Sequence, residues 1–219
     1  MNPSFTLPRI IFPGHAAAAN VATPAAQENI QALFSDALAA HQQGKLPEAE
    51  FLYRQVLARD RHHADAWHLL GLVAHQAGKN DDAAELIRVA LAINERVVTY
   101  HSNLAIVLKA LGRREDAIAF YRNAIGIDGG SADLHFNLGL LLAECARFEE
   151  AAESYRAAIK IRGDFVAAHA HLGIALNRLK RPAEALQSYD RALELQPNSF
   201  DVHYNRGGAL WLLNELDAA

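Results

Sequence analysis

Apolar and polar residues recur along this chain with the spacing of amphipathic α-helices, and the helical stretches come in pairs. Residues 132–165 show the pattern clearly, because two helical stretches are joined there by a short break at Ala146–Arg147. Small residues stand where the two helices must cross closely, at Gly139, Ala151 and Ala158. One such hairpin has an apolar face that it cannot bury alone. The pattern therefore predicts further copies of the hairpin on either side.

Copies of this hairpin recur every 34 residues. When residues 132–165 are numbered as positions 1 to 34, positions 8 and 20 are glycine or alanine in all six copies. The position-8 residues are Ala37, Gly71, Ala105, Gly139, Gly173 and Gly207, and the position-20 residues are Ala49, Ala83, Ala117, Ala151, Ala185 and Ala219. Position 24 carries a large residue: Tyr53, Ile87, Tyr121, Tyr155 or Tyr189. A repeat of this length predicts a solenoid of stacked helical hairpins.

Trp67 and Pro197 complete a motif of the form W-x2-L-G … A-x3-[YF]-x2-A … P, which resembles the tetratricopeptide repeat (TPR) family over roughly residues 30–219. The resemblance implies an all-α, right-handed superhelical solenoid of helix-turn-helix hairpins, with about five and a half repeats. The expected repeats are residues 30–63, 64–97, 98–131, 132–165, 166–199 and the incomplete 200–219.

Composition agrees with a soluble helical array. The chain is 51% hydrophobic and 21% charged, which supplies enough apolar surface for a continuous core. Its net charge is −4 and no block of like charges occurs, so we expect no nucleic-acid partner. No apolar run approaches the ~18 residues of a membrane span, so we expect no membrane partner and a cytoplasmic location. The single cysteine, Cys145, excludes a disulfide within the chain.

Residues 1–29 stand apart from the repeats. They hold four of the seven prolines of the chain and no acidic residue before Glu28. Their apolar run, residues 10–12, is shorter than the ~7–15 residues of a secretory h-region. Two interpretations stay open. The segment is either a flexible or extended leader, or it docks through Ile10, Ile11 and Phe12 into an apolar groove of its own chain or of a neighbouring copy.

The sixth repeat stops five residues into its expected second helix. Its first helix, predicted at Val202–Asn214, is apolar along Ala209–Leu213 and has no polar cap behind it. Natural repeat arrays end with a solvated cap. We therefore expect either that the chain is a piece of a longer protein, or that this uncapped helix packs on another copy in a homo-oligomer.

No arrangement of residues predicts catalysis, since the chain has no phosphate-binding glycine loop, nucleophile elbow or spaced Cys/His pair. Four of the eleven histidines recur at position 4, as His101, His135, His169 and His203. Packed helices lie ~8–10 Å apart, which is too far for side chains on equivalent helices to share one metal ion. We interpret these histidines as partly buried side chains between helices. No enzyme activity, metal or cofactor is predicted for the chain.

Position 6 carries a polar series, Asn103, Asn137, His171 and Asn205, on the face that lines the concave groove of TPR arrays. Asparagine is unfavourable inside helices, so its recurrence at the same position of the repeat indicates that the side-chain amide has a function there. An amide both donates and accepts, so such a row can hold the backbone of an extended peptide. The row resembles the asparagine ladder of protein O-GlcNAc transferases and their bacterial relatives. His171 departs from that ladder, and a solvated groove without a ligand is the alternative.

Position 9 is apolar in the first five repeats, and position 5 adds Phe136 and Tyr204, so the groove fits a peptide with hydrophobic anchors. We expect a protein–protein interaction scaffold that binds a peptide segment of a partner. The candidate peptide-binding residues are Asn103, Asn137, His171, Asn205, Phe136 and Tyr204. One alternative is the substrate-recruiting N-terminal arm of a protein glycosyltransferase whose catalytic domain is absent from this chain. Another is a self-associating structural module.

Overall fold

The computed structural model of the protein describes residues 24–217, and this range contains eleven α-helices and no β-strand. They are α1 (Pro24–Gln42), α2 (Leu46–Arg59), α3 (Ala64–Gln76), α4 (Asn80–Ile93), α5 (Val98–Ala110), α6 (Arg114–Ile127), α7 (Ala132–Glu144), α8 (Phe148–Ile161), α9 (Val166–Arg178), α10 (Pro182–Leu195) and α11 (Phe200–Asp217). The first ten helices form five hairpins. The predicted all-α solenoid of helical hairpins is confirmed.

Each helix packs mainly on the helices before and after it in sequence. Three successive pairs of odd-numbered helices also contact each other directly: α3 with α5, α7 with α9, and α9 with α11. The side of the array that the odd-numbered helices form is called the inner face. The even-numbered helices form the opposite, outer surface. Because the hairpins repeat, a residue type at one position recurs at equivalent places along the array.

Glycine at position 8 sets how closely the two helices of a hairpin approach. A Cβ atom at Gly139 would lie 2.6 Å from Cε1 of Tyr155, and one at Gly173 would lie 2.5 Å from Cε1 of Tyr189. Both tyrosines are fully buried. Each ring therefore rests directly on the backbone of the facing helix, where a larger residue would collide with it. Small residues at position 8 and large ones at position 24 thus encode one hairpin geometry.

The turn inside every hairpin contains one residue in the left-handed region, always at position 15. These residues are Gly44 (φ 72°), Gly78 (φ 77°), Gly112 (φ 74°), Ala146 (φ 57°) and Lys180 (φ 57°). The following amide closes the end of the helix, as when Arg147 N donates to Leu142 O at 2.9 Å. Glycine adopts this conformation freely, whereas alanine and lysine are strained in it.

Two helix ends differ from the sequence prediction. Helix α1 begins at Pro24, inside the segment assigned to the leader. Helix α11 runs unbroken from Phe200 to Asp217, which corrects the expected end at Asn214 and the start of a second helix after it. Residues 214–217 contain no glycine or proline to stop a helix, so α11 continues.

The proposed leader anchors, Ile10, Ile11 and Phe12, lie outside the described residues. Within residues 24–217, every helix is too short or too polar to cross a membrane.

Candidate functional site

The four residues of the position-6 series occupy equivalent places on α5, α7, α9 and α11. All four are partly buried on the inner face: Asn103, Asn137, His171 and Asn205. The structure therefore brings the predicted residues into one row along the array. Their side chains nevertheless have different surroundings. Some members of the row contact other side chains of the protein and are called engaged, whereas others have no such partner and are called available.

Asn103 is engaged within the protein. Its Nδ2 donates a hydrogen bond to Nε2 of His68 on α3, 2.9 Å away. His68 also lies against the ring of Tyr100, with 4.6 Å between ring centroids. Burial lowers the pKa of His68 to about 4, against the opposing effect of the Asp65 carboxylate. The imidazole is therefore neutral and can accept this bond, so Asn103 joins two successive repeats.

His171 belongs to an aromatic cluster. Its ring lies 5.5 Å from that of Phe136 in an edge-on arrangement and 5.8 Å from that of Tyr155, measured between centroids. Phe136 also lies 4.8 Å from Phe165, whose other neighbour is the guanidinium of Arg162 at 4.2 Å. Burial lowers the pKa of His171. Phe136 therefore has three aromatic neighbours on the inner face: His171, Phe165 and Tyr155, whose ring centroid lies 5.8 Å away.

Asn137 and Asn205 are the available members of the row. In the described part of the chain their side-chain amides have no hydrogen-bonding partner, and both residues are partly exposed. Each amide therefore has a donor and an acceptor without a partner among the described residues. The peptide-binding role of these two residues stays a prediction.

Aliphatic residues at position 9 lie one helical turn after the polar row. Ile106 follows Asn103, Leu140 follows Asn137, and residues three apart share one side of a helix. The partly exposed members of this strip are Leu38, Leu72, Ile106, Leu140 and Ile174, of which Ile106 is 41% exposed. The inner face therefore combines an apolar strip with neighbouring amides.

The C-terminal end of the inner face contains an open hollow of about 600 Å³ between the end of α9 and α11. Tyr204 and Asn205 line it, together with Asn177 and Trp211. Asn177 Nδ2 donates to the hydroxyl of Tyr189 at 3.4 Å, and its buried Oδ1 has no partner among the described residues. Sequence reasoning missed Asn177 and Trp211, which share position 12. Position 12 also carries His41, His75 and Lys109, but Ala143 interrupts this polar series.

The position-4 residues have a role that the sequence did not reveal. In repeats two to six, the ring N–H of this residue donates to the backbone carbonyl six residues earlier, in the joint before the helix. The pairs are Trp67–Arg61 (2.9 Å), His101–Glu95 (2.7 Å), His135–Gly129 (3.2 Å), His169–Gly163 (3.0 Å) and His203–Pro197 (2.8 Å). Tryptophan and histidine both carry a ring N–H, which explains why either can occupy this position.

The packing predicted for these histidines is confirmed for three of them. His101 and His169 are buried and His135 is partly buried, whereas His203 is exposed, so the prediction is wrong for His203. The exposure of His203 follows from its place on α11, the last described helix. Among residues 24–217, no three histidine, cysteine or acidic side chains lie close enough together to hold a metal ion.

Comparisons with known proteins identify the repeat. The profile of the tetratricopeptide repeat family matches residues 34–96, 102–164, 136–200 and 172–219. Among solved structures, MamA is 22% identical with a TM-score of 0.71, and the match covers 78% of this chain and 93% of that one. YrrB, described as a TPR protein with an unusual peptide-binding site, is 19% identical with a TM-score of 0.71, covering 85% of this chain and 100% of that one.

A tetratricopeptide repeat protein from Parabacteroides merdae ATCC 43184 is 16% identical with a TM-score of 0.73, over 85% of this chain and 74% of that one. At these identities the likeness to solved structures shows a shared fold. No curated protein matches the chain significantly.

Proposed function

Because the chain belongs to the tetratricopeptide repeat family, we propose that it is a protein-interaction scaffold whose inner face binds a peptide segment of a partner protein. The observation that carries this proposal is the pairing of an available amide with an apolar side chain on α7. Asn137 has no protein partner for its amide within the described residues, and Leu140 lies partly exposed one turn further along the same side.

An extended peptide fits this pairing chemically. The carbonyl oxygen of an Asn137 side chain can accept from a peptide N–H, while its amide nitrogen donates to a peptide carbonyl. Leu140 and Ile106 then contact the apolar side chains of the peptide and exclude water from those hydrogen bonds. Backbone hydrogen bonds supply affinity without reading sequence, and the apolar contacts select hydrophobic anchors.

The hairpin core keeps this surface preformed. Tyr155 and Tyr189 are fully buried between their helices, so the odd-numbered helices are held by packing before any ligand arrives. A preformed surface loses little conformational entropy on binding, which favours affinity. The reported peptide-binding site of YrrB, a protein of the same fold, is consistent with this use of the array.

Recruitment of a glycosyltransferase substrate is a narrower form of the same proposal. It draws only on the resemblance of Asn103, Asn137 and Asn205 to an asparagine ladder. Asn103 is already hydrogen-bonded to His68, so the backbone of such a substrate would form its hydrogen bonds with Asn137 and Asn205.

The test is a selection of linear peptides from a random phage-displayed library on the 219-residue chain, followed by fluorescence anisotropy with a selected peptide. Ile106→Glu places a charge on the apolar strip and is expected to raise the Kd about tenfold or more, a loss of about 1.4 kcal/mol. Ile161→Glu is the matched control, because Ile161 is 42% exposed but lies on outer helix α8. Equal affinity of both variants would overturn the proposal, as would a selection that yields no binding peptide.

A further inference from the structure

The fourth hairpin lacks a hydrogen bond that two other hairpins form between positions 12 and 24. In the first hairpin, Nδ1 of His41 lies 3.4 Å from the hydroxyl of Tyr53, and the equivalent pair in the fifth hairpin is also hydrogen-bonded at 3.4 Å. The fourth hairpin has Ala143 at position 12, which cannot form this bond. Its tyrosine, Tyr155, is fully buried, and the hydroxyl has no hydrogen-bonding partner among the described residues.

Position 12 also bonds to position 13 of the next repeat in two places along the inner face. Nε2 of His41 lies 3.2 Å from Oε1 of Gln76, and Nζ of Lys109 donates to Oε1 of Glu144 at 2.5 Å. The single imidazole of His41 therefore bridges the tyrosine of its own hairpin and the following repeat. Alanine at position 12 removes both contacts at once.

Arg178 is the position-13 residue that follows Ala143. It is exposed, and its guanidinium lies 4.7 Å from the ring centroid of Phe148, the first residue of α8. Phe148 belongs to the same hairpin as Ala143, so the guanidinium is turned toward that hairpin. Arg162 and Arg181 are paired with carboxylates, whereas Arg178 has no salt bridge among the described residues.

Two hydrogen-bond donors are thus equivalent to the two groups that a position-12 side chain bridges in the first hairpin. Burial raises the pKa of Tyr155, as does the nearby Glu144 carboxylate, so the hydroxyl stays protonated and can donate. A guanidinium can only donate. Ala143 is partly exposed, so the space beyond its methyl group opens on the inner face. We call this space, bounded by Ala143, Tyr155 and Arg178, the Ala143 gap.

We propose that the Ala143 gap binds the carboxylate of an aspartate or glutamate side chain in the bound peptide. This inference rests on the proposed peptide-binding function and adds an acidic anchor to it. One carboxylate oxygen accepts from Arg178 and the other from the Tyr155 hydroxyl, so the ligand replaces the missing position-12 side chain. The hydroxyl is closed to solvent in the unbound chain. The carboxylate therefore meets Arg178 first and reaches Tyr155 as the exposed side chains around the gap move aside.

The gap adjoins the surface that carries the proposed function. Asn137, Leu140 and Ala143 are spaced three residues apart and lie along one side of α7. A peptide that bonds to Asn137 and packs on Leu140 can therefore place a further side chain at the gap. The Glu144 carboxylate does not leave an opposing free charge there, because it is paired with Lys109.

The first test uses the peptides selected on the 219-residue chain, synthesised with an amidated C-terminus so that only side chains supply a carboxylate. Peptides that lose affinity on Ile106→Glu should share an aspartate or glutamate beside their apolar anchors. Replacing it by asparagine or glutamine should raise the Kd at least fivefold on the wild-type chain and less than twofold on Arg178→Gln. Arg114→Gln is the matched control, because Arg114 is exposed at the start of outer helix α6, and it should keep the wild-type ratio.

Tyr155→Phe tests the second donor. The variant keeps the ring that packs on Gly139 and removes a hydroxyl that has no partner in the unbound chain, so the fold should be retained. It should raise the Kd of the acidic peptide at least twofold and leave that of the amide analogue unchanged. Equal effects on both peptides would remove Tyr155 from the site.

A test within the chain needs no peptide. Ala143→Glu places a carboxylate in the gap, and Ala143→Gln places an uncharged group of the same size there. The ratio of their folding constants, from urea denaturation, should be at least threefold more favourable to Ala143→Glu with Arg178 present than in an Arg178→Gln background. The negative charge near the end of α7 acts equally in both backgrounds and cancels.

Equal ratios in the two backgrounds would overturn the acidic anchor. Selected peptides without an acidic residue, or with the same preference for it on Arg178→Gln, would also overturn it while leaving the proposed function intact. Failure to select any peptide would instead overturn the proposed function and the acidic anchor together.

Discussion

The Nε2–H of His101 donates a hydrogen bond to the backbone carbonyl of Glu95, 2.7 Å away, and so ties the first turn of α5 to the joint that follows α4. The same bond recurs in each later repeat and, with a tryptophan donor, at Trp67. Each joint between hairpins thus has its own side-chain donor. The position of one hairpin relative to the next is fixed by this bond as well as by apolar packing.

Removal of this bond should weaken the array. His101→Phe keeps an aromatic ring in a buried site but removes the N–H, and it leaves the Glu95 carbonyl without its partner. The expected loss is about 1–2 kcal/mol of unfolding free energy, measured by urea denaturation. His62→Phe is the control, because His62 is exposed, and its effect should stay within about 0.5 kcal/mol. Equal losses in both variants would show that the bond does not stabilise the joint.

Glycine should stabilise the two hairpin turns that now place a strained residue in the left-handed region. Ala146 and Lys180 hold φ of 57°, a conformation that the other three hairpins give to glycine. Ala146→Gly and Lys180→Gly should each raise the unfolding free energy by about 1 kcal/mol, because relief of strain exceeds the added entropy of the unfolded chain. Thermal or urea denaturation measures the gain. The reverse change, Gly112→Ala, should lose a similar amount, and a stabilising Gly112→Ala would contradict this account of the turn.

Stability should fall in acid through His68. Burial lowers the pKa of His68 to about 4, below the ordinary value near 6.5. Between these two pH values the unfolded chain binds a proton that the folded chain excludes, so the folded state loses stability as pH falls. The loss should reach roughly 2–3 kcal/mol by pH 4, with no contribution from His68 above about pH 7.

Urea denaturation at a series of pH values measures that slope. His68→Gln removes the titrating group while keeping an acceptor for Asn103, so its stability should depend less on pH over this window. His62→Gln should keep the wild-type slope. An unchanged slope in His68→Gln would assign the acid sensitivity to other groups, among them His171, whose pKa burial also lowers.

The repeat geometry could be predicted from sequence because it depends on the sizes of the residues at fixed positions of the repeat. Glycine at Gly139 and a tyrosine sixteen residues later, at Tyr155, have a single compact arrangement in a helical hairpin. The hydrogen bonds of the joints were not predictable in the same way. A helical pattern places His101 on a face, but the carbonyl of Glu95 lies in an irregular segment whose path only the folded chain defines.

In the candidate site too, some features could be predicted from the sequence and others could not. The phase of Asn137 placed it on the inner face, and the structure agrees. The engagement of Asn103 by His68, and of His171 by Phe136, arises between residues 35 apart in adjacent repeats. Those pairs depend on how successive hairpins stack, which the pattern within one repeat does not contain. Sequence therefore found the row, and packing determined which members stay available.

The most direct test of peptide binding on the inner face compares two asparagines. Asn137 is on inner helix α7, and Asn123 is exposed on outer helix α6. With a selected peptide and fluorescence anisotropy, Asn137→Ala should raise the Kd about fivefold or more, a loss of about 1 kcal/mol or more, and Asn123→Ala should leave it unchanged. The opposite ranking, or two unchanged affinities, would contradict the amide contact on which the proposed function rests.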